Sequence, residues 1–149
     1  MRVLIPSVGA RASLALLLLR VLVGLALIQH GAPKIRDPLH WLDNGPLPGT
    51  PIALQLIVAI AEFVGGFAMI LGFLTPLFSL LLVCDMMVVV FVVMIPHGAP
   101  FVGGPHAFEV PAFILAAVLG LLIAGPGQFS VDGMMVARSE KTRLDWRMR

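Results

Sequence analysis

The chain has 149 residues, of which 59% are hydrophobic and 12% charged, against roughly 45–50% and about 25% in an ordinary soluble domain. That balance excludes a water-soluble monomer, and long Leu, Val, Ile and Met runs without low-complexity repeats exclude a disordered or collagenous chain. The net charge is only +2; one bilayer crossing takes about 20 apolar residues, so four would occupy about 80 positions and leave no room for a separate catalytic domain.

The first apolar segment runs from about Ser13 to Gly31 and is preceded by Arg2 and Arg11. Arg20 interrupts it, and it ends in Gln29, His30 and Gly31 without a small-residue cleavage site, so it reads as a retained helix and not a secretory signal. Pro33 and the polar group Lys34, Arg36 and Asp37 close it. Pro33, Pro38, Pro46, Pro48 and Pro51 make the next stretch a loop, with Trp41 placed at headgroup level. A second helix is expected over 52–74 and a third over 77–95, joined by a tight turn at Gly72, Thr75 and Pro76. A Gly/Pro-rich loop from His97 to His106 leads to a short fourth helix over 108–124, followed by a basic tail, 126–149.

The expectation is an all-α integral membrane four-helix bundle forming one transmembrane domain, a multi-pass protein of the cell inner (cytoplasmic) membrane. Arg2 and Arg11 at one end and Arg138, Lys141, Arg143, Arg147 and Arg149 at the other place both termini in the cytoplasm, against Lys34 and Arg36 outside. Asp132, Glu140 and Asp145 interleave with the basic tail, which reads as a membrane-surface stop signal with no nucleic-acid role. Cys84 is the single cysteine and forms no intrachain disulfide. Ala112, Ala116, Gly120 and Ala124 on the fourth helix, and Ala61 with Gly65 and Ala68 with Gly72 on the second, form small-residue faces suited to close helix packing.

Arg20, Glu62 and Asp85 lie near the middle of three different apolar runs. An ionisable group at the bilayer centre costs about 2.5–3.5 kcal/mol on insertion scales, so the three are expected to face one another as an intramembrane polar network. Glu62 is about ten residues into its helix, roughly 15 Å, near the middle of a ~30 Å core. One cation can neutralise only one of two carboxylates. A second group, His30, Lys34, His97, His106 and Glu109, gathers at the outer side, and His30, Lys34, His97 and Glu109 are expected to line a quinone or proton pocket leading toward Glu62. A quinone head needs a His or carboxylate beneath an apolar mouth, and both are present. His30 and His97 are the one pair that could ligate a haem, but they sit at helix ends and outside any attachment motif. No H-x-x-x-H or E-x-x-H pair occurs on one helix. No tightly bound haem or metal is expected, and no catalytic residue is assigned. The competing account is structural: charges that pin helices in register.

The pattern resembles the DoxX family of small four-helix membrane proteins. Arg20, Gly24, His30, Gly31 and Lys34 resemble its first-helix R…G…HG…K pattern, and Glu62, Gly65, Gly66, Leu71 and Gly72 its E-x-x-G-G followed by L-G. Gly103, Gly104 and Glu109 resemble its Gly-rich loop before an acidic residue, and Gly125, Gly127, Ser130 and Asp132 its closing G-x-G-x-x-S-x-D. Asp85 stands where a glutamate is common in that family. The resemblance, over 13–132, implies an accessory, quinone-interacting subunit of a membrane oxidoreductase or energy-transducing complex, with the lipid bilayer and other subunits as partners and independent catalysis not expected. The alternative is a purely structural subunit that docks on and stabilises a larger complex.

Overall fold

Apolar runs alternating with proline- and glycine-rich breaks produce five helices and no strand among the described residues, 9–104 and 106–147 of this computed structural model. Arg2, Pro105 and Arg149 lie outside them. The helices are α1 (Ala10–Lys34), α2 (Ile52–Leu71), α3 (Thr75–Met87), α4 (Glu109–Ala124) and α5 (Val131–Arg147). A π-helical segment, Val88–Met94, continues α3. Three spans, Ala10–Lys34, Ile52–Leu71 and Thr75–Met94, are long and apolar enough to cross a membrane, and α4 is a shorter apolar helix of 16 residues.

α1 and α2 form the closest pair. A Cβ on Gly24 would lie 2.6 Å from the Gly66 carbonyl oxygen, and one on Gly31 would lie 2.5 Å from the Phe63 nitrogen. Small residues are required there because the backbones touch. Gly65 meets α3 in the same way, with the Phe78 ring 2.8 Å from where its Cβ would be. On α1 the buried residues Arg20, Val23, Gly24, Leu27 and Gly31 form one stripe, and Leu14, Leu18, Leu22 and Leu25 form an exposed one, the apolar outer face a lipid environment calls for.

α4 packs on α3 through Ile114, Leu115, Val118 and Leu121. Its small-residue face does not pack inward as expected: Ala116 is exposed and nothing lies within 4 Å of a Cβ at Gly120. Large side chains fill the α3–α4 gap, so the small residues turn away from it.

At one end of the bundle, the hairpin end, Gly72 closes α2 with φ 66°, and Phe73 N–H donates to the Ala68 carbonyl at 2.9 Å. Leu74 follows with φ 49°, and Pro76 occupies the first turn of α3, where its missing N–H is harmless. The N–H groups of Leu74 and Thr75 donate to Asp132 at 3.0 and 2.8 Å, so a carboxylate from another element caps α3 and meets its positive dipole end. Ser130 caps α5, accepting from Gly133 N–H at 2.9 Å and donating to the Gly127 carbonyl at 2.6 Å. Gln128 N–H donates to Ser13 Oγ at 3.1 Å. Gly125 and Gly127 turn the chain with φ 79° and 76°. The motif read at Gly125–Asp132 is thus a clamp joining α1, the hairpin and α4.

Candidate functional site

Toward the other end, the loop end, and halfway along α2, Lys34, Glu62 and Asp85 converge. Glu62 lies ten residues before Gly72, and Asp85 ten after Thr75, so an antiparallel hairpin brings them to one depth. α1 supplies Lys34 by its contact at Gly31, which packs against the backbone of Glu62 and Phe63. Long helical side chains lean toward the amino end of their helix, so the Lys34 ammonium drops about a turn to that level. Its Nζ lies 2.7 Å from Glu62 Oε1, with the Glu62 side chain 2% exposed. Asp85 lies in the field of both Glu62 and Lys34, and Glu62 Oε2 and Asp85 Oδ2 are buried without a hydrogen-bond partner.

Beside this cluster is a cavity of about 500 Å³ between α2 and the outer half of α3. Val58 and Ala61 of α2, Leu81 of α3, and Val89 and Val93 of the π-helical segment make its walls apolar, and Lys34 and Asp85 reach it. The π-helical hydrogen bonding, with Ile95 N–H donating to the Val90 carbonyl at 3.0 Å, falls in a valine-rich run and keeps Val90 buried while Val88, Val89 and Val93 line the cavity. π-segments of this kind are frequent at functional sites.

The 35–51 connection is the roof. Trp41, Leu42, Pro46 and Leu47 line the cavity from it, and the Lys34 ammonium sits 4.4 Å from the centre of the Trp41 ring, a cation–π contact. Gln55, 1% exposed, straps the roof to α2. Its Oε1 accepts from Leu42 N–H at 2.9 Å, and its Nε2 donates to Asp43 Oδ1 at 2.8 Å and to the Thr50 carbonyl at 3.2 Å. Trp41 Nε1–H donates to the Gln55 carbonyl at 3.0 Å. Gln55 and Trp41 were not singled out by sequence reasoning as site residues. Gln55 gave the same signal as Glu62, a polar side chain inside an apolar run.

The polar residues expected to form one network are divided. Glu62 and Asp85 stand together, but Arg20 does not join them. It lies opposite Gly72, eleven residues along α1 from Gly31, or about 16 Å from the Glu62 level. There its Nη2 donates to the Phe129 carbonyl, and Asp132 is the acidic group acting on it. Arg20 therefore belongs to the clamp. Of the expected pocket residues, Lys34 lines the cavity and His30, His97 and Glu109 do not. His30 is exposed, because its neighbour Gly31 takes the face toward α2. His97 is exposed, in the turn after the π-helical segment, and hydrogen-bonds through Nδ1 to the Val93 carbonyl of that segment at 2.6 Å. His106 is exposed, and Glu109 opens α4 half-buried. Among the described residues no three His, Cys, Asp or Glu side chains gather as a metal site.

Fold and site together define a small helical membrane protein with a polar cluster beside an apolar cavity. The DoxX family model matches residues 15–95, more than half of the chain, and the chain belongs to the DoxX family. That span holds Arg20, Gly24, Gly31, Lys34, Glu62, Gly65, Gly66, Gly72 and Asp85. The Gly103–Glu109 and Gly125–Asp132 stretches lie beyond it. No curated protein and no solved structure matched the chain.

Proposed function

We propose that this chain is an accessory subunit of a membrane oxidoreductase in the cytoplasmic membrane, with both termini on the cytoplasmic side, and that its cavity receives the head of a quinone-type molecule. The observation that carries this reading is the cavity itself, about 500 Å³, apolar on its walls and bordered by Lys34 and Asp85. Binding sites for small molecules have this form: an apolar enclosure with few convergent polar groups. A quinone ring fits beside the Trp41 face, a carbonyl oxygen accepts from Lys34, and an apolar tail leaves along Ile57 and Val88, which are exposed where lipid lies. Trp41 reports occupancy once Trp146→Phe removes the other tryptophan. In lipid nanodiscs, a short-tailed quinone should quench Trp41 saturably, and Val89→Trp, read by displacement of a radiolabelled quinone, should block binding. In the parent complex, isolated through a tag on this chain, Lys34→Met should reduce quinone-linked turnover without loss of assembly.

A second reading, a subunit that serves only to dock on a larger complex, draws on the outward small-residue face of α4 at Ala116 and Gly120. Normal quinone-linked turnover in a fully assembled Lys34→Met complex would favour it.

A further inference from the structure

α2, with 20 residues, spans about 30 Å at 1.5 Å per residue and matches a ~30 Å hydrocarbon core, whereas the 16 residues of α4 span about 24 Å. A deficit of about 6 Å is met either by thinning the bilayer or by flanking residues that extend the apolar surface of the helix.

The loop before α4 is suited to the second course. Residues 96–108 hold no Lys, Arg, Asp or Glu, whereas the 35–51 connection holds Arg36, Asp37 and Asp43. Phe101 and Val102 are exposed, Val102 at 63%. The Phe101 ring meets Phe108 and Phe113 edge to face, with centroids 5.3 and 6.3 Å apart. Phe113 lies one turn inside α4 and is 66% exposed on its outward side. The loop therefore folds back beside the first turn of α4, and its apolar side chains continue the helix's outer surface.

The fold-back has a backbone cause. Gly98, Gly103 and Gly104 have φ 74°, 88° and 98°, and no atom lies within 4 Å of a Cβ at any of them, so these glycines serve the turns and not packing. Phe108 N–H donates to the Pro100 carbonyl at 3.1 Å and closes the loop at its base. Gly98 and Ala99 N–H donate to the Ile95 and Met94 carbonyls at 3.0 Å, and His97 Nδ1 bonds the Val93 carbonyl, so carbonyls at the end of the π-helical segment are satisfied without water. Irregular backbone does not stand in hydrocarbon. The loop backbone thus belongs at headgroup level, where water pairs its remaining N–H groups, and Glu109 there meets the positive end of α4.

We propose that the 96–108 loop is a membrane anchor whose partner is the lipid of the leaflet at the loop end: Phe101 and Val102 insert at the boundary between headgroups and acyl chains and extend the short α4 crossing. Apolar side chains of interfacial segments reach about 5–10 Å into that boundary, enough to cover the deficit. The anchor is independent of what occupies the cavity.

The test measures depth. In a Cys84→Ser background, a nitroxide label is attached at Val102→Cys and, as references, at Val64→Cys midway along α2 and at Asn44→Cys beside the roof; all three native side chains are exposed, so the labels leave the packing intact. Each protein is placed in phosphatidylcholine nanodiscs, one copy per disc, and collisions with oxygen, which concentrates among acyl chains, are compared with collisions with a water-soluble nickel chelate. The oxygen-to-nickel ratio at Val102 should exceed that at Asn44 severalfold and approach that at Val64. A ratio at Val102 equal to that at Asn44 would leave the loop in water above a thinned bilayer and overturn the proposal. A label shielded from both reagents would mean that protein and not lipid covers the loop, and would overturn it too.

Discussion

Lys34 and Glu62 form a contact in which the carboxylate is almost wholly buried and the ammonium keeps 18% of its side-chain surface. Removing one member of a buried pair leaves the other uncompensated, at about 3–5 kcal/mol. Because Lys34 is partly exposed, the lower figure applies: Lys34→Met should destabilise the protein by about 3 kcal/mol, seen as a lowered midpoint of thermal unfolding in mild detergent. Lys34→Met combined with Glu62→Gln should recover most of that loss. An unchanged midpoint in the single variant would mean that water reaches Glu62. Sequence alone marked Glu62 and Asp85, with Arg20, as polar residues inside apolar runs and put Lys34 in the outer group, and the equal spacing of Glu62 and Asp85 from the Gly72–Thr75 turn made their meeting legible. It did not separate Arg20 from them. The long 35–51 connection sets no register between α1 and α2, so the depth of Arg20 is fixed by the Gly24–Gly66 and Gly31–Phe63 contacts, which exist only in the folded bundle.

The helices divide into pairs by how close their backbones come. Gly24→Ala would push a methyl to 2.6 Å from the Gly66 carbonyl, forcing α1 and α2 apart at about 1–3 kcal/mol. Gly120→Ala on α4 meets open space and should change stability by no more than about 1 kcal/mol, set by helix propensity alone. Measured side by side in one detergent, the two substitutions separate a packed glycine from an unpacked one, and equal effects would contradict the α1–α2 register. The two glycines looked alike in sequence. Small-residue spacing says that a close approach is possible but not which helix uses it. Asp132→Ala removes the cap from Leu74 and Thr75 and should cost about 1–2 kcal/mol, with faster amide exchange confined to the start of α3 as its signature. Exchange spread evenly over the chain would argue against capping in trans.

For the molecule as a whole, the order of crossings follows from apolar runs separated by proline and glycine, which is why the bundle was legible from the sequence. The cavity was not, because it is made by the space between α2 and the outer half of α3 and by a roof that Gln55 holds at long range. Orientation depends on which end carries the basic residues. The hairpin end holds Arg11 near the start of α1 and leads into α5, whose sequence includes Arg138, Lys141, Arg143 and Arg147. The loop end holds Lys34 and Arg36, and Lys34 is committed to Glu62. Positive residues near short connections are retained in the cytoplasm, so the clamp should face inward and the Trp41 roof outward. Two positions on those ends are exposed, Asn44 beside the roof and Ser139 on α5. In a Cys84→Ser background, a membrane-impermeant thiol reagent added to intact cells should label Asn44→Cys, and should label Ser139→Cys only after the membrane is opened. The opposite pattern would put the basic helix outside and the roof in the cytoplasm. The cavity's flank would then still open to lipid, since the exposed edge at Ile57, Cys84 and Val88 lies along the bundle and not at either end.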